Sequence, residues 1–481
     1  MTNSLLTKQS QNQLFHTFDD TLKPLILDLL SLGKSAGADL VEIFLEKSDN
    51  ISLLAEQDSI SNVSPSFGIG AGIRVFLGKK DGFVSTNDLS NEGLLFALNQ
   101  ALGMLGLVVS SRNNSKFEGL ADLKDFGTNK NDWLANSPDL NESTIKLLEA
   151  TKSLSRKNEN LQVRRASYSR NWQEVLVAAT DGVFSRDIRL HQTVGINVIA
   201  QTDQNRSTSA RRYGSSGNPD DLRKWDIEKS TGDLNESAQN MLHADYVEAG
   251  QMPVVLANKF GGVIFHEACG HLLETTQLER GTSPFHDSIN KQIAHEAVSA
   301  VDEGFSNHAF GSLSMDDEGM EPKNTLLIED GILKRFLSDR AGSLRTGHPR
   351  TGSGRRQNYS FAAASRMRNT YIKQGNFTPE KLIESVDNGL YCKSMGGGSV
   401  GPTGQFNFSV EEGYLIKNGK LDKPVKGATL IGEAKEILPR ISMCANDLDL
   451  AAGFCGSVSG SVNVTVGQPH IKVDSITVGG R

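Results

Sequence analysis

The sequence predicts an α+β protein in which N-terminal α+β regions are followed by a β-rich C-terminal domain. Three observations carry this. Apolar residues recur at helical spacing over 22–30 and again over 94–105, neighbouring segments alternate apolar with polar residues, and from Met252 onward glycine punctuates short apolar runs. With 47 glycines and 6% aromatic residues in 481, many tight turns are expected.

The first 20 residues form a polar leader. Leu22, Leu25, Ile26, Leu29 and Leu30 then make the apolar stripe of a helix, capped by Asp20 or Thr21 and stopped at Gly37. Val41, Ile43 and Leu45 alternate with Glu42 and Glu46, while Ile73, Val75 and Leu77 run into a Gly78–Gly82 turn before Phe83 and Val84. Leu94, Leu95, Leu98, Ala101, Leu102 and Leu105 restore the helical period from Ser90.

Residues 119–140 are polar and aperiodic, which places a boundary there. It separates an N-terminal α+β domain over 21–125 from a central α+β region over 126–250. A polar helix spans 141–155, and a strand follows in which Ile188, Leu190, Val194, Ile196 and Val198 alternate with Arg189, His191, Thr193 and Asn197. The C-terminal domain, 251–481, opens with a buried strand at Pro253–Ala257. An apolar helix from Phe260 to Thr275, capped by Asn258, comes next, and paired strands are expected near 407–416 and 461–478.

Composition excludes several classes of function. Hydrophobic residues at 37% and charged residues at 22% suit a globular core, and a net charge of −7 repels nucleic acid and anionic membranes. No apolar run approaches membrane-spanning length, and the leader lacks a signal-peptide core. Four scattered cysteines make no disulfide framework. A cytoplasmic protein is expected.

The chemistry concentrates in His266-Glu-Ala-Cys-Gly-His271, on the apolar helix. Neutral imidazoles are good zinc ligands, and an adjacent glutamate can accept a proton from water, so His266 and His271 are candidate ligands and Glu267 a candidate general base. The histidines are spaced i, i+5, which at about 100° per residue puts them roughly 140° apart on a regular helix. One ion cannot bind both unless the helix widens locally, so a π-type bulge is predicted, with Gly270 tolerating the distortion. By contrast, His295-Glu296 has no second histidine following it.

A catalytic zinc needs a third ligand and an open position. Cys455, in what reads as a glycine-flanked turn, is favoured on chemistry; Glu274 and Glu279 are the carboxylate alternatives, and a buried structural thiol is the plain reading of Cys455. Two further features stand out. The run from Arg340 to Arg368 has seven arginines and no acidic residue, suiting either carboxylate binding, as by Arg355 and Arg356, or an ion-pair face. The glycines Gly396, Gly397 and Gly398 allow another backbone to lie close, or are plain turns.

Taken together, His266–His271, Gly354-Arg-Arg-Gln357, Ser394-Met-Gly-Gly-Gly398, Glu412-Gly-Tyr-Leu415, Val425–Gly432 and Val466-Gly-Gln-Pro469 resemble the TldD/PmbA family over roughly residues 36–478. The intact metal motif is similar to the catalytic, TldD-type half. That resemblance implies a cytoplasmic metallopeptidase with one Zn2+ per chain, paired as a heterodimer with a paralogous PmbA/TldE-type subunit and acting on unfolded or short peptides. It also implies His266, His271 and Cys455 as ligands and Glu267 as general base. The chain departs from the family pattern at Asp316–Pro322, where Met320 and Glu321 stand in place of an expected single threonine between Gly319 and Pro322. Two rival readings remain: a non-catalytic peptide- or protein-binding modulator with a structural zinc, and a zinc amidase acting on a small molecule.

Overall fold

The computed structural model describes residues 18–109, 117, 119–157, 161–306, 308–401 and 404–480; residues 1–17 of the expected leader lie outside them. The first helix, Lys23–Ser35, is entered through a 3-10 turn, Asp20–Leu22. Its cap is Asp19, one residue before the expected pair. Asp19 has the extended backbone a cap requires, and its carboxylate accepts from the Thr21 N–H at 2.9 Å. Gly37, at φ 98°, ends the helix as expected.

Strands β1 (Leu40–Glu56), β2 (Ser59–Leu77), β3 (Lys80–Thr86), β4 (Lys124–Asp125), β5 (Leu161–Ala179), β6 (Phe184–Gln201) and β7 (Arg206–Ser216) form one seven-stranded sheet. β1 joins its halves, pairing antiparallel with β2 along one edge and with β5 along the other. Segments on either side of residue 125 therefore share a single hydrogen-bonded ladder.

Side-chain alternation decides what covers each face of this sheet. Val41, Ile43 and Leu45 meet Ile26, Leu29, Leu94 and Leu98 from helices Lys23–Ser35 and Asn91–Gly103. Farther along, Leu53, Ile196 and Val198 meet Leu147, Leu154, Leu234 and Leu242 from helices Leu140–Lys157 and Ile227–Leu242. Each such side chain, fully buried, contributes roughly 1.5–3 kcal/mol. The opposite face carries Glu42 and Glu46 and is also buried. Glu42 accepts from Arg356 at 2.8 Å, and Glu46 accepts from the Tyr359 N–H at 2.6 Å, so the C-terminal domain covers this polar face.

Two large sheets, with the short pair Gly354–Arg355 and Ala364–Ser365, build the C-terminal domain. One has the order Asn388–Val400, Gly250–Leu256, Ile471–Gly479, Thr429–Glu433, Gln405–Lys417, Lys420–Lys426, Asp245–Tyr246, with Ile441–Cys444 added to Ile471–Gly479. The other runs Ile332–Leu333, Thr325–Glu329, Ala300–Glu303, Asn369–Ile372, Gly460–Gln468, Asp449–Ser457. Leu256, Phe406 and Phe408 from the first and Leu327 and Ile372 from the second share a core with Val263, Ile264, Phe265 and Leu272. The histidine-bearing segment is thus clamped inside the domain. Among the described residues no helix is long and apolar enough to cross a membrane.

Candidate metal centre

The expected continuous helix from Phe260 to Thr275 is a chain of short pieces: a 3-10 turn Lys259–Gly262, an α turn Val263–Phe265, a π turn His266–Gly270, a 3-10 turn His271–Leu273, and Thr275–Glu279. Asn258 occupies the N-cap position with an extended backbone, as expected, but its side chain makes no capping bond; its amide NH2 donates to Asp447. The π turn is the predicted bulge, closed by the His271 N–H donating to the His266 carbonyl. It turns the two imidazoles toward each other, with ring centroids 5.1 Å apart.

Gly270 serves this arrangement in a different way from the one expected. Its backbone, at φ −53° and ψ −50°, is ordinary right-handed helix and asks for no special freedom. A Cβ there would lie 2.2 Å from the Met367 sulfur. The glycine is required so that Met367 can pack against the bulge.

Cys455 comes from strand Asp449–Ser457, so the expected turn is replaced by a strand paired with Gly460–Gln468; Cys455 faces Val462 across that ladder. Its Sγ lies 3.3 Å from His266 Nε2 and 3.2 Å from His271 Nε2, and the three ligand atoms fall within 4.8 Å of one another. Ligands on one tetrahedral zinc, at about 2.0–2.3 Å each, stand roughly 3.3–3.6 Å apart. The two cysteine–histidine distances approach that spacing, and the donor types are those that bind zinc.

Electrostatics agree with that geometry. Burial opposes ionisation of Cys455, yet His266 and His271 together hold its thiol well below the ordinary range. Burial likewise opposes a charge on His271, but Glu274 and Cys455 hold its pKa well above the usual imidazole value. The centre thus favours a thiolate, the form of cysteine that binds metal.

Glu267 sits beside the ligands, with Oε2 3.7 Å from His271 Nε2 and its side chain 26% exposed. Glu274 Oε2 is 3.1 Å from His271 Nδ1. Since a carboxylate accepts, Nδ1 keeps its proton, so Nε2 is the nitrogen that would give up its proton and offer a lone pair to a metal. Glu274 Oε1 accepts the Met367 N–H at 3.2 Å, which fixes the carboxylate in turn. Arg366 donates to the Cys455 carbonyl, to Ser459 Oγ at 2.9 Å and to the Gly460 carbonyl at 2.8 Å, bracing the strand that carries the thiol. Neither orienting role was assigned from sequence. The i, i+3 spacing of His271 and Glu274 was the available signal for one; nothing local marked Arg366.

The other candidates lie elsewhere. Cys269 is packed in the apolar core, where burial raises its thiol pKa, and Glu279 pairs with Arg345 at 2.5 Å. Arg355 and Arg356 are buried between the domains. Gly396, Gly397 and Gly398 lie in the bulged strand Asn388–Val400, Gly397 and Gly398 exposed. Most of the arginine run is an ion-pair face: Arg340 reaches Glu42 and Asp181, Arg350 reaches Glu318, and Arg368 reaches Asp302. The departing loop at Asp316–Pro322 supplies one of these partners, Glu318, and Asp317 accepts the Arg356 N–H. Asp316 Oδ1 accepts from the Glu318 and Met320 N–H groups and its Oδ2 from that of Gly354, while Asp317 accepts from Arg189 and Glu318 from the Arg340 N–H.

A His/His/Cys cluster with an adjacent glutamate, held in the core of the C-terminal domain, is a donor set suited to a metal ion. The chain belongs to the PmbA/TldD family: its residues 41–105, 135–242 and 249–480 match, respectively, domain 1, the central domain and the C-terminal domain of the PmbA/TldA metallopeptidases. It is 34% identical over 474 residues to the metalloprotease TldD homolog of Haemophilus influenzae, covering 95% of this chain and 96% of that one. It is 36% identical over 257 residues to the zinc metalloprotease TldD homolog of Saccharolobus solfataricus, covering 53% and 58%. The fold matches that of TldE from Thermococcus kodakarensis with a TM-score of 0.75 at 20% identity, over 95% of this chain and all of that one. The expected family and the β-rich α+β fold are thus both found.

Proposed function

We propose that this chain is the catalytic subunit of a cytoplasmic, zinc-dependent peptidase that hydrolyses unfolded or short peptides in partnership with a paralogous PmbA/TldE-type subunit. The observation that carries this reading is the convergence of His266 Nε2, His271 Nε2 and Cys455 Sγ beside the Glu267 carboxylate. The names of the relatives support zinc and proteolysis, the likeness to a TldE structure supports the partnership, and the net charge of −7 argues against nucleic acid.

His266, His271 and Cys455 would hold one zinc, which would supply Lewis-acid chemistry at the site. Glu267 would take the proton from the attacking water and deliver it to the departing amine. Glu274 fixes the His271 tautomer, and Arg366 fixes the Cys455 strand. A thiolate ligand donates more charge than an imidazole, so the site would be a milder Lewis acid than a three-histidine one.

Glu267→Gln tests the reading. Zinc content by elemental analysis stays near that of the parent, while peptide turnover, assayed with the paralogous subunit present, falls by about 10²–10⁴-fold. Retained zinc in a parent protein that cleaves no peptide would replace this reading with a binding module built on a structural zinc.

A further inference from the structure

A polar cavity of about 340 Å³ lies between the Glu42/Glu46 face of the N-terminal sheet and the hairpin that carries Cys455. Alternation along β5 and β6 turns Asn171, Gln173, Arg189 and His191 into it. Phe454 and Val462, the chain neighbour and the cross-strand partner of Cys455, close the other side.

The charges lining the cavity do not cancel. Arg170 pairs with Asp49 at 2.5 Å, Arg189 with Asp317 at 2.6 Å and Arg356 with Glu42 at 2.8 Å. Arg355 lines the same cavity, is 4% exposed, and makes no ion pair among the described residues; its Nη1 donates to the Met367 carbonyl at 2.8 Å. Buried guanidinium groups are ordinarily matched by an anion. Beside it His191, 6% exposed, has no hydrogen-bond partner on either ring nitrogen among the described residues. Its ring meets Phe310 edge to face at 5.6 Å, and Phe310 meets Phe454 at 5.3 Å.

One unmatched positive charge, an unpaired imidazole and nearby amides suit a single negative charge with a flat, two-oxygen face. A phosphate dianion would be under-compensated and repelled by Asp317. The two phenylalanines suit the aliphatic stem or backbone that carries such a group. We propose that this cavity is a carboxylate-binding subsite for an acidic side chain or the C-terminal carboxylate of a peptide lying along the Cys455 hairpin. The assignment of a peptide as ligand rests on the peptidase reading above, whereas the carboxylate preference does not.

Calorimetric titration of the zinc-loaded, full-length Glu267→Gln chain separates the two. The probes are three alanine-rich hexapeptides of one sequence: one capped at both ends with a central glutamate, its glutamine counterpart, and the glutamine peptide with a free C-terminus. Binding about tenfold or more tighter for a carboxylate-bearing peptide is expected, and which of the two binds tighter identifies the source. Arg355→Gln and His191→Phe should each bring that preference close to unity; the second keeps an aromatic ring against Phe310 should the first fail to fold. Equal affinity for all three peptides, or no binding of any, overturns the subsite even where the parent enzyme cleaves peptides. A carboxylate preference in a protein that cleaves nothing upholds the subsite and removes the peptidase reading.

Discussion

His271 and Glu274 are joined by a 3.1 Å contact from Nδ1 to Oε2, and the other oxygen of Glu274 is held by the backbone N–H of Met367. The carboxylate therefore determines which imidazole nitrogen faces Cys455 and where the ring points. Removing it leaves the ligand set intact but disordered in tautomer and rotation. Glu274→Ala is expected to weaken zinc affinity by about 10–100-fold in competition with a chelator of known strength, with Glu274→Gln recovering part of the loss because its amide oxygen still accepts from Nδ1–H. Unchanged affinity in the alanine variant would show that the ring is positioned by packing alone.

Gly270 tests the bulge itself. Because its backbone is ordinary helix, alanine should raise helix propensity there, yet the added Cβ meets the Met367 sulfur at 2.2 Å. Overpacking of this kind costs about 1–3 kcal/mol. Gly270→Ala is expected to lower the urea midpoint accordingly, and Met367→Ala in the same chain to restore part of the loss. A stabilised single variant would mean that the methionine moves aside freely.

Reading this chain from sequence succeeded where the signal was local. The i, i+5 histidines demanded a widened turn, and the π segment His266–Gly270 provides it. Family resemblance also reached across the 184 residues from His271 to Cys455, where spacing carries no information, and the fold brings the two side chains to 3.2 Å. It fell short where one domain covers another. Glu42 and Glu46 alternate with apolar residues like the wet face of a sheet, but both are buried by Arg356 and Tyr359 from more than 300 residues away. The strand carrying Cys455 was read as a turn because its glycines, Gly453 and Gly456, signal punctuation; in the fold they are plain ladder residues paired with Val464 and Ser461.

The arginine run illustrates the same limit and yields a stability prediction. Arg368 and Asp302 are both fully buried, joined at 2.6 Å, and the Asp302 carboxylate also accepts from the Arg368 N–H and from Thr370. Replacing one partner strands the other charge in a low-dielectric interior. Arg368→Met is expected to cost about 3–5 kcal/mol in denaturant titration, by the rule for a broken buried pair. Arg345→Met, in the part-exposed cluster with Asp81 and Glu279, should cost distinctly less. Similar losses at the two positions would contradict the burial argument.

Glu46 gives the fold a pH dependence of predictable sign. Burial raises its pKa from 4.5 to about 7, against hydrogen bonds from Gln173 and the Tyr359 N–H that work the other way. The folded state then keeps a proton between those values that the unfolded chain has released, so stability falls as pH rises through that window and levels off above it. The shift corresponds to about 3 kcal/mol. His191 works in the opposite direction: burial and the nearby arginines hold it near pKa 3, so the unfolded chain takes up its proton first and stability falls as pH drops below the ordinary histidine range. The parent profile mixes the two, and the difference between parent and Glu46→Gln isolates one. That difference should shift in favour of the variant by roughly 3 kcal/mol between pH 4.5 and pH 7 in urea titrations, then stay constant to pH 8. A difference that is flat across the whole range would mean that Glu46 is ionised in the folded protein, stabilised by Arg189 on the same sheet.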